Sequence, residues 1–278
     1  MSATGRPERE GTPMNRAALS RLVDVLDRHQ RLAIAVSGGV DSMTLAHVAA
    51  RHSRTHTTMY HATSPAVPAS ALSRVEAHAT THGWRLVVVD AGELADPRYR
   101  ANPVDRCYYC KTNLYDRIAG VTTDAIASGT NTDDLSDFRP GLRAAAERHV
   151  VHPYVEASLG KADIYALASA LGLSDLERLP AQPCLASRVE TGIAIDPSDL
   201  AFIDSVESRL AASLGREVTV RCRVTHSGVV IELAADNAEC AGTAREIGVS
   251  ACLAVGRAFA GVRPYMRGAA FLREISHG

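Results

Sequence analysis

The feature that most restricts how this chain folds is a five-residue apolar run, LAIAV (Leu32 to Val36), that stops at Ser37-Gly38-Gly39-Val40-Asp41-Ser42. A short continuous apolar run ending in a Gly-rich turn reads as a strand buried on both faces, the signature of a parallel sheet. The residues that follow, Asp41 to His52, have helical spacing. Strand, glycine turn and helix in that order commit the region to an α/β architecture. The same order makes an anion site. Adjacent glycines let backbone N–H groups approach phosphate oxygens, and a helix N-terminus adds about half a positive charge. Ser37 and Ser42 offer hydroxyls, and Asp41 offers a carboxylate for Mg²⁺. The loop is neither a Walker A sequence nor GxGxxG, because no Lys closes it and its glycines are adjacent. The plain alternative is an ordinary strand-to-helix turn.

The rest of the chain extends the pattern. A first helix is expected from Arg16 to His29 on Leu19, Leu22, Val23 and Leu26. Further strands are expected at Thr58–Thr63, Arg85–Val89 and Asp124–Ser128, with a helix at Ser70–His82. Strands alternating with helices imply an open parallel sheet with right-handed crossovers. The fourth strand runs into Ser128-Gly129-Thr130-Asn131-Thr132-Asp133-Asp134, at the carboxyl end of a strand, where open sheets bind ligands. Read blandly, it is a polar Asx-turn loop. After Pro180, Glu217–Val224 and Val229–Leu233 read as a hairpin around Ser227-Gly228. The expected division is a disordered leader at 1–14, an α/β domain at 15–182 that carries the loop, and a smaller α+β domain at 183–278 serving substrate binding or oligomerisation.

Thirty basic residues against thirty-one acidic ones leave no basic excess, which argues against a nucleic-acid binder. No apolar run reaches membrane-spanning length, and the start MSATGRPEREGTPMNR has no apolar signal core. A cytoplasmic protein without a membrane partner is the expectation. Six cysteines are too sparse for a disulfide scaffold. Cys107 and Cys110 form a CxxC pair, which in a reducing compartment points to metal, cluster or redox chemistry. Cys222, Cys240 and Cys252 read as small buried hydrophobes.

SGGVDS after a first strand resembles the PP-loop ATP pyrophosphatases, and the Ser128–Asp134 loop is similar to a second segment of that superfamily. Narrower segments follow in order. They are Ala62-Thr63-Ser64-Pro65, Asn102 to Lys111 (NPVDRCYYCK), Gly129-Thr130-Asn131 with Asp137 to Gly141 (DFRPG), Pro153, Glu156, Lys161, and Pro183 to Arg188 (PCLASR). Taken together, from Leu32 to about Leu233, they resemble the LarE family of ATP-dependent sulfur transferases of nickel-pincer cofactor synthesis.

The resemblance implies ATP with Mg²⁺, held by Ser37, Gly38, Gly39, Asp41, Ser42, Thr63, Gly129, Thr130, Asp133 and Asp134. It implies adenylylation of a carboxylate, release of pyrophosphate, and exchange of oxygen for sulfur, with Asp41, Lys111 and Cys184 in the chemistry. Lys111, Arg139, Lys161 and Arg188 become candidate anion binders, although each alone reads equally well as a solvated charge. In one branch of the family a cysteine placed like Cys184 gives up its own sulfur. In another, cysteines placed like Cys107, Cys110 and Cys184 hold a [4Fe-4S] cluster whose fourth iron carries sulfide. All three are present, so the cluster branch is expected. Three thiolates leave one iron open to exogenous sulfur, and zinc would want a fourth ligand that no standard spacing supplies. A thioredoxin-like use of the CxxC pair remains open.

In the smaller domain Arg221 and Arg223 alternate along one strand face, with Arg263 and Arg267 further on, as a seat for a substrate phosphate. The bland alternative is an exposed face paired with Glu217 and Glu232. Where the family ends this domain with Asp-Leu-x-Gly-aromatic-Arg, this chain has Ala258-Phe259-Ala260-Gly261-Val262-Arg263. Expected partners are a small carboxylate- and phosphate-bearing substrate, a sulfide donor, and further copies of the chain. The rival readings are an amide-forming ligase like NAD synthetase, a cluster-dependent tRNA thiolase, and a sensor that binds ATP or a cluster without turnover.

Overall fold

A computed structural model describes residues 13–136, 139–177, 179, 183–215 and 218–265. In chain order it begins with α1 (Pro13–Leu26), β1 (Arg31–Ala35), α2 (Val40–His52), β2 (His56–Thr63), α3 (Ala69–His82) and β3 (Leu86–Asp90). Next come α4 (Pro97–Arg100), α5 (Arg106–Ala119), β4 (Ala125–Ala127), α6 (Pro140–Glu147), α7 (Pro153–Glu156) and α8 (Lys161–Ala170). The last elements are α9 (Pro197–Leu214), β5 (Val220–Thr225), β6 (Gly228–Leu233), α10 (Ala241–Ala254) and β7 (Phe259–Pro264). Two compact units result, one taking residues up to 63, 70–91 and 110–181, the other 64–69, 92–109 and 182 onward.

In the first unit four strands lie in the order β3-β2-β1-β4, every pair parallel. Ile34 of central β1 stands level with Met59 on one side and Ala127 on the other. The apolar run of β1 is needed because both faces are covered. Leu32 and Ile34 join a core with Leu22, Met43, Met59, Leu159 and Leu167, while Ala33 joins a second with Tyr60, Tyr115, Ile118 and Ile126. Each fully buried Leu or Ile contributes about 1.5–3 kcal/mol.

This is the expected fold class, an open parallel sheet beside a smaller sheet-bearing unit. The boundaries differ in instructive ways. α1 begins at Pro13, so the two final residues of the expected leader are helical; residues 1–12 lie outside the described residues. α1 also stops at Leu26, three residues early. The Thr55 hydroxyl takes the Leu26 carbonyl at 2.7 Å, and Asp27 turns to accept from Ser53 Oγ and the Arg54 N–H, both at 2.8 Å.

In the second unit β5 and β6 form the expected antiparallel hairpin, with His226 and Ser227 as its two-residue loop. Glu217, at the start of the expected strand, lies outside the described residues. α9 begins at an N-cap, Asp196, whose carboxylate accepts from the Ser198 N–H. α10 then carries the chain back to β7, which pairs parallel to β6 and was not expected. A Cβ on Gly248 would lie 2.5 Å from the Phe259 ring, so only glycine lets α10 sit this close to the sheet.

The smaller unit is larger than the expected 183–278, and its hydrogen bonds say why. The Leu185 N–H donates to the Ala66 carbonyl at 2.8 Å, and Ile195 N–H donates to Arg100 O at 2.8 Å. Asn102, fully buried with φ of 52°, donates its amide to the carbonyls of Val189, Glu190 and Ile193. These bonds recruit 64–69 and 92–109 to the unit that holds Cys184.

Candidate functional site

The loop after β1 is built around two backbone demands. Gly38 has φ of 84°, and a Cβ there would stand 3.0 Å from the Cβ and carbonyl oxygen of Ala71. Arg74 fixes the Gly38 carbonyl with a 2.8 Å bond. Gly39 is the N-cap of α2, and no side chain caps the helix there. The Ser37 N–H donates to Ser42 Oγ at 3.0 Å, and the two serine hydroxyls lie 3.1 Å apart, closing the loop over the helix start. The N–H-lined, positively polarised end of α2 is thereby presented at the carboxyl edge of the sheet.

The Ser128–Asp134 loop comes to the same place. A Cβ on Gly129 would lie 2.9 Å from the Ser42 nitrogen, so bare glycine backbone packs on the first turn of α2. Ser128 Oγ lies 3.0 Å from Thr130 Oγ1 and 2.9 Å from His152 Nδ1. Burial lowers the His152 pKa, which favours the neutral ring. Asp133 accepts from the Lys161 N–H at 2.9 Å, and Asp134 from the Asn131 N–H at 3.2 Å. Thr63 ends β2 with its hydroxyl 3.4 Å from the Val89 carbonyl.

Several predicted cations already have partners. Lys161 Nζ donates to both oxygens of Asp41, at 2.7 and 2.6 Å. Arg139 pairs with Asp134 at 2.7 Å. Lys111 sits on α5, next to Cys110. Three positioning residues carried no local sequence signal. Tyr154 is fully buried and donates its hydroxyl to the Asp41 carbonyl at 2.9 Å, with its own pKa raised by burial. Arg74 anchors Gly38. His61 lies 2.8 Å from the Val36 carbonyl through Nδ1; burial lowers its pKa, so the neutral ring carries its proton there and donates it.

In the second unit, Cys184 precedes a short 3₁₀ turn, Leu185–Arg188. Arg188 requires a correction as an anion receptor. It is 3% exposed, pairs through Nε and Nη2 with Glu207 at 3.0 Å each, and donates Nη1 to the Pro183 and Cys184 carbonyls. Its guanidinium is committed to holding the PCLASR segment. Arg223 is committed likewise, to buried Glu232 and, at 2.9 Å, to the Ser187 carbonyl. Arg263 shares Glu232 at 2.8 Å, so one expected acidic partner, Glu232, serves both arginines. Arg221 does share the Arg223 face of β5. It lies half-buried, 5.7 Å from the centre of the Tyr265 ring, and its pKa is lowered by burial and by neighbouring Arg188. Arg267 lies outside the described residues, as do Asp137 and Phe138.

Cys107 and Cys110 fall in the first turns of α5, three residues apart on one helix face. Both, like Cys184, are in no disulfide and of intermediate exposure, whereas Cys222 and Cys252 are buried. Burial pushes both of those thiols up, as suits inert core positions. Cys240 is of intermediate exposure and departs from the buried reading. Among the described residues, no group of three or more His, Cys, Asp or Glu side chains is placed to hold a metal ion. Among those residues, too, no helix is long and apolar enough to cross a membrane.

An open parallel sheet with a glycine-built, side-chain-uncapped helix start at its carboxyl edge defines an α/β protein that presents backbone N–H groups at the edge where sheets of this kind bind ligands. No family model matches the chain. Over 217 residues, 76% of this chain and 78% of the relative, it is 30% identical to pyridinium-3,5-bisthiocarboxylic acid mononucleotide synthase of Lactiplantibacillus plantarum. It is 34% identical over 212 residues to an uncharacterized protein of Synechocystis sp., covering 75% of this chain and 79% of the relative. It is 28% identical over 198 residues to one of Methanocaldococcus jannaschii, covering 70% and 75%. The chain belongs to the LarE family and, in coarse terms, is a sulfur-transfer enzyme.

Proposed function

We propose that this protein adenylylates a substrate carboxylate with ATP at the Ser37–Ser42 loop, releases pyrophosphate, and replaces a carboxylate oxygen by sulfur. The observation that carries the reading is the packing of Gly129 backbone on the first turn of α2, which brings the Ser128–Asp134 loop to a helix start that no side chain caps. A carboxylate oxygen attacks the α-phosphorus and pyrophosphate departs with the bonding electron pair. A sulfide then attacks the acyl carbon, and AMP leaves carrying the former carboxylate oxygen. The amides at the start of α2 and the hydroxyls of Ser37 and Ser42 stabilise charge on the leaving group. Lys161 adds a cation at the same edge. Mg²⁺ is usually held by one or two carboxylates plus substrate phosphates, so Asp41 suffices as its protein ligand and a cage of carboxylates is not needed. Bound there, it would neutralise phosphate charge.

For the acceptor we propose a class, a small carboxylate that also bears a phosphate, seated with Arg221. Where the family carries an acidic residue, Ala258 has only a methyl group, and its carbonyl accepts from the Val229 N–H at 2.8 Å. Cys107, Cys110 and Cys184 are proposed as the sulfur-handling thiols. Iron and labile-sulfide analysis of anaerobically prepared protein separates a [4Fe-4S] cluster from a sacrificial Cys184, which would instead appear as dehydroalanine after one turnover. Nucleotide analysis tests the first half-reaction. AMP and pyrophosphate are expected, lost on Asp41→Asn, while ADP and phosphate would overturn the reading.

A further inference from the structure

Lys161 and Asp41 form the most tightly specified ion pair of the loop. One ammonium donates to both carboxylate oxygens, at 2.7 and 2.6 Å. Both ends of the pair are clamped. Asp41 is the acidic residue of the first turn of α2, and the buried Tyr154 hydroxyl holds its carbonyl. Lys161 opens α8 after Gly160, where a Cβ would stand 3.0 Å from Asp133 Oδ1, and its own N–H is bound by Asp133. Its ammonium lies 5.3 Å from the centre of the Tyr165 ring. The side chains of Lys161 and Asp41 are 34% and 29% exposed, so solvent ions reach the pair.

The charge balance here has a consequence. The Lys161 and Asp41 charges cancel, the Asp133 carboxylate is engaged by the Lys161 N–H, and the start of α2 adds about half a positive charge beside them. A free divalent cation arriving at Asp41 would have to displace the ammonium from both carboxylate oxygens without bringing an anion to receive it. A polyphosphate arriving with its cation supplies that receiver. We propose that Lys161 is the resident counter-ion of Asp41, excluding free divalent cations from the loop and admitting one only with a polyphosphate that takes over the ammonium. This rests on the nucleotide reading above and makes Lys161 a positioning residue that sets the order of binding.

The test uses the full chain and two ligands measured separately. Free Mn²⁺ is titrated by electron paramagnetic resonance, and ATP by calorimetry in metal-free buffer. Lys161→Met keeps the stem and removes the charge; Lys161→Gln serves as a second variant should the first fail to fold. Each is expected to bind free Mn²⁺ about tenfold more tightly than wild type and ATP about tenfold more weakly, a shift of about 1.4 kcal/mol each way. Adding Asp41→Asn should abolish the Mn²⁺ gain. A purely structural lysine would weaken both ligands or neither, and either result overturns the proposal, as does equal Mn²⁺ affinity in wild type and variants. If the Mn²⁺ gain appears but wild type binds no ATP, the counter-ion role stands and the nucleotide reading falls.

Discussion

Acidification should destabilise this protein through one buried imidazole. His47 and His52 on α2 meet His78 and His82 on α3, with His47 and His82 edge to face at 4.6 Å and His78 and His82 at 5.3 Å. Asp175 holds His78 Nε2 at 2.9 Å. His47 is 7% exposed; burial, then repulsion from His82, His52, His78 and Arg51, lowers its pKa from 6.5 to about 4. The folded state thus binds fewer protons than the unfolded chain below pH 6.5. Stability falls as pH drops from 6.5 toward about 4, and this group costs nothing more below that. From about pH 7.5 to about pH 5 the loss from His47 alone is about 2 kcal/mol. His82, also lowered by burial, adds loss of the same sign. The assay is urea unfolding followed by Trp84, the only tryptophan, whose ring lies 5.7 Å from His78 and 6.0 Å from His82. His47→Gln stays neutral throughout, so wild type should lose about 2 kcal/mol more than the variant over that interval. Equal losses would refute the assignment.

Three further substitutions probe the loops and the Cys184 segment. Gly129→Ala pushes a Cβ onto backbone at Ser42 and should cost about 1–3 kcal/mol together with nucleotide affinity. Gly160→Ala meets only the side chains of Asp133 and Thr132 and should cost less, with thermal denaturation ranking the two. Arg188→Met strands the Glu207 carboxylate and should cost about 3–5 kcal/mol by urea unfolding, with faster alkylation of Cys184. A stable variant that merely bound acceptor less well would restore the anion-receptor role.

The β1 strand, its glycine turn and α2 were legible because their signals are local: an apolar run, two glycines and a helical pattern within about twenty residues. The fate of the arginines was not. Arg188 and Arg223 read as available cations, yet their carboxylates, Glu207 and Glu232, lie nineteen and nine residues away and become partners only when α9 and β6 fold beside them. β7 escaped notice because Gly261 and Pro264 punctuate it. As a third strand laid beside β6 by α10, it takes its pairing from tertiary contact rather than propensity. The reach of Asn102 to the 189–193 carbonyls likewise has no local pattern, so the extent of the second unit could not be read from composition. Tyr154 carries no local signal, and its hydroxyl acquires a task only through the carbonyl of Asp41.

The central claim is that ATP-driven activation here ends in carbon–sulfur bond formation. The direct measurement is mass spectrometry of a phosphorylated pyridine carboxylate incubated anaerobically with the protein, ATP, Mg²⁺ and sulfide, beside a parallel reaction containing ammonia. The account predicts the mass gain of one oxygen-to-sulfur exchange, stoichiometric with AMP and pyrophosphate and absent in Asp41→Asn. An amide product from the ammonia reaction, or pyrophosphate release with no sulfur in the acceptor, would contradict it.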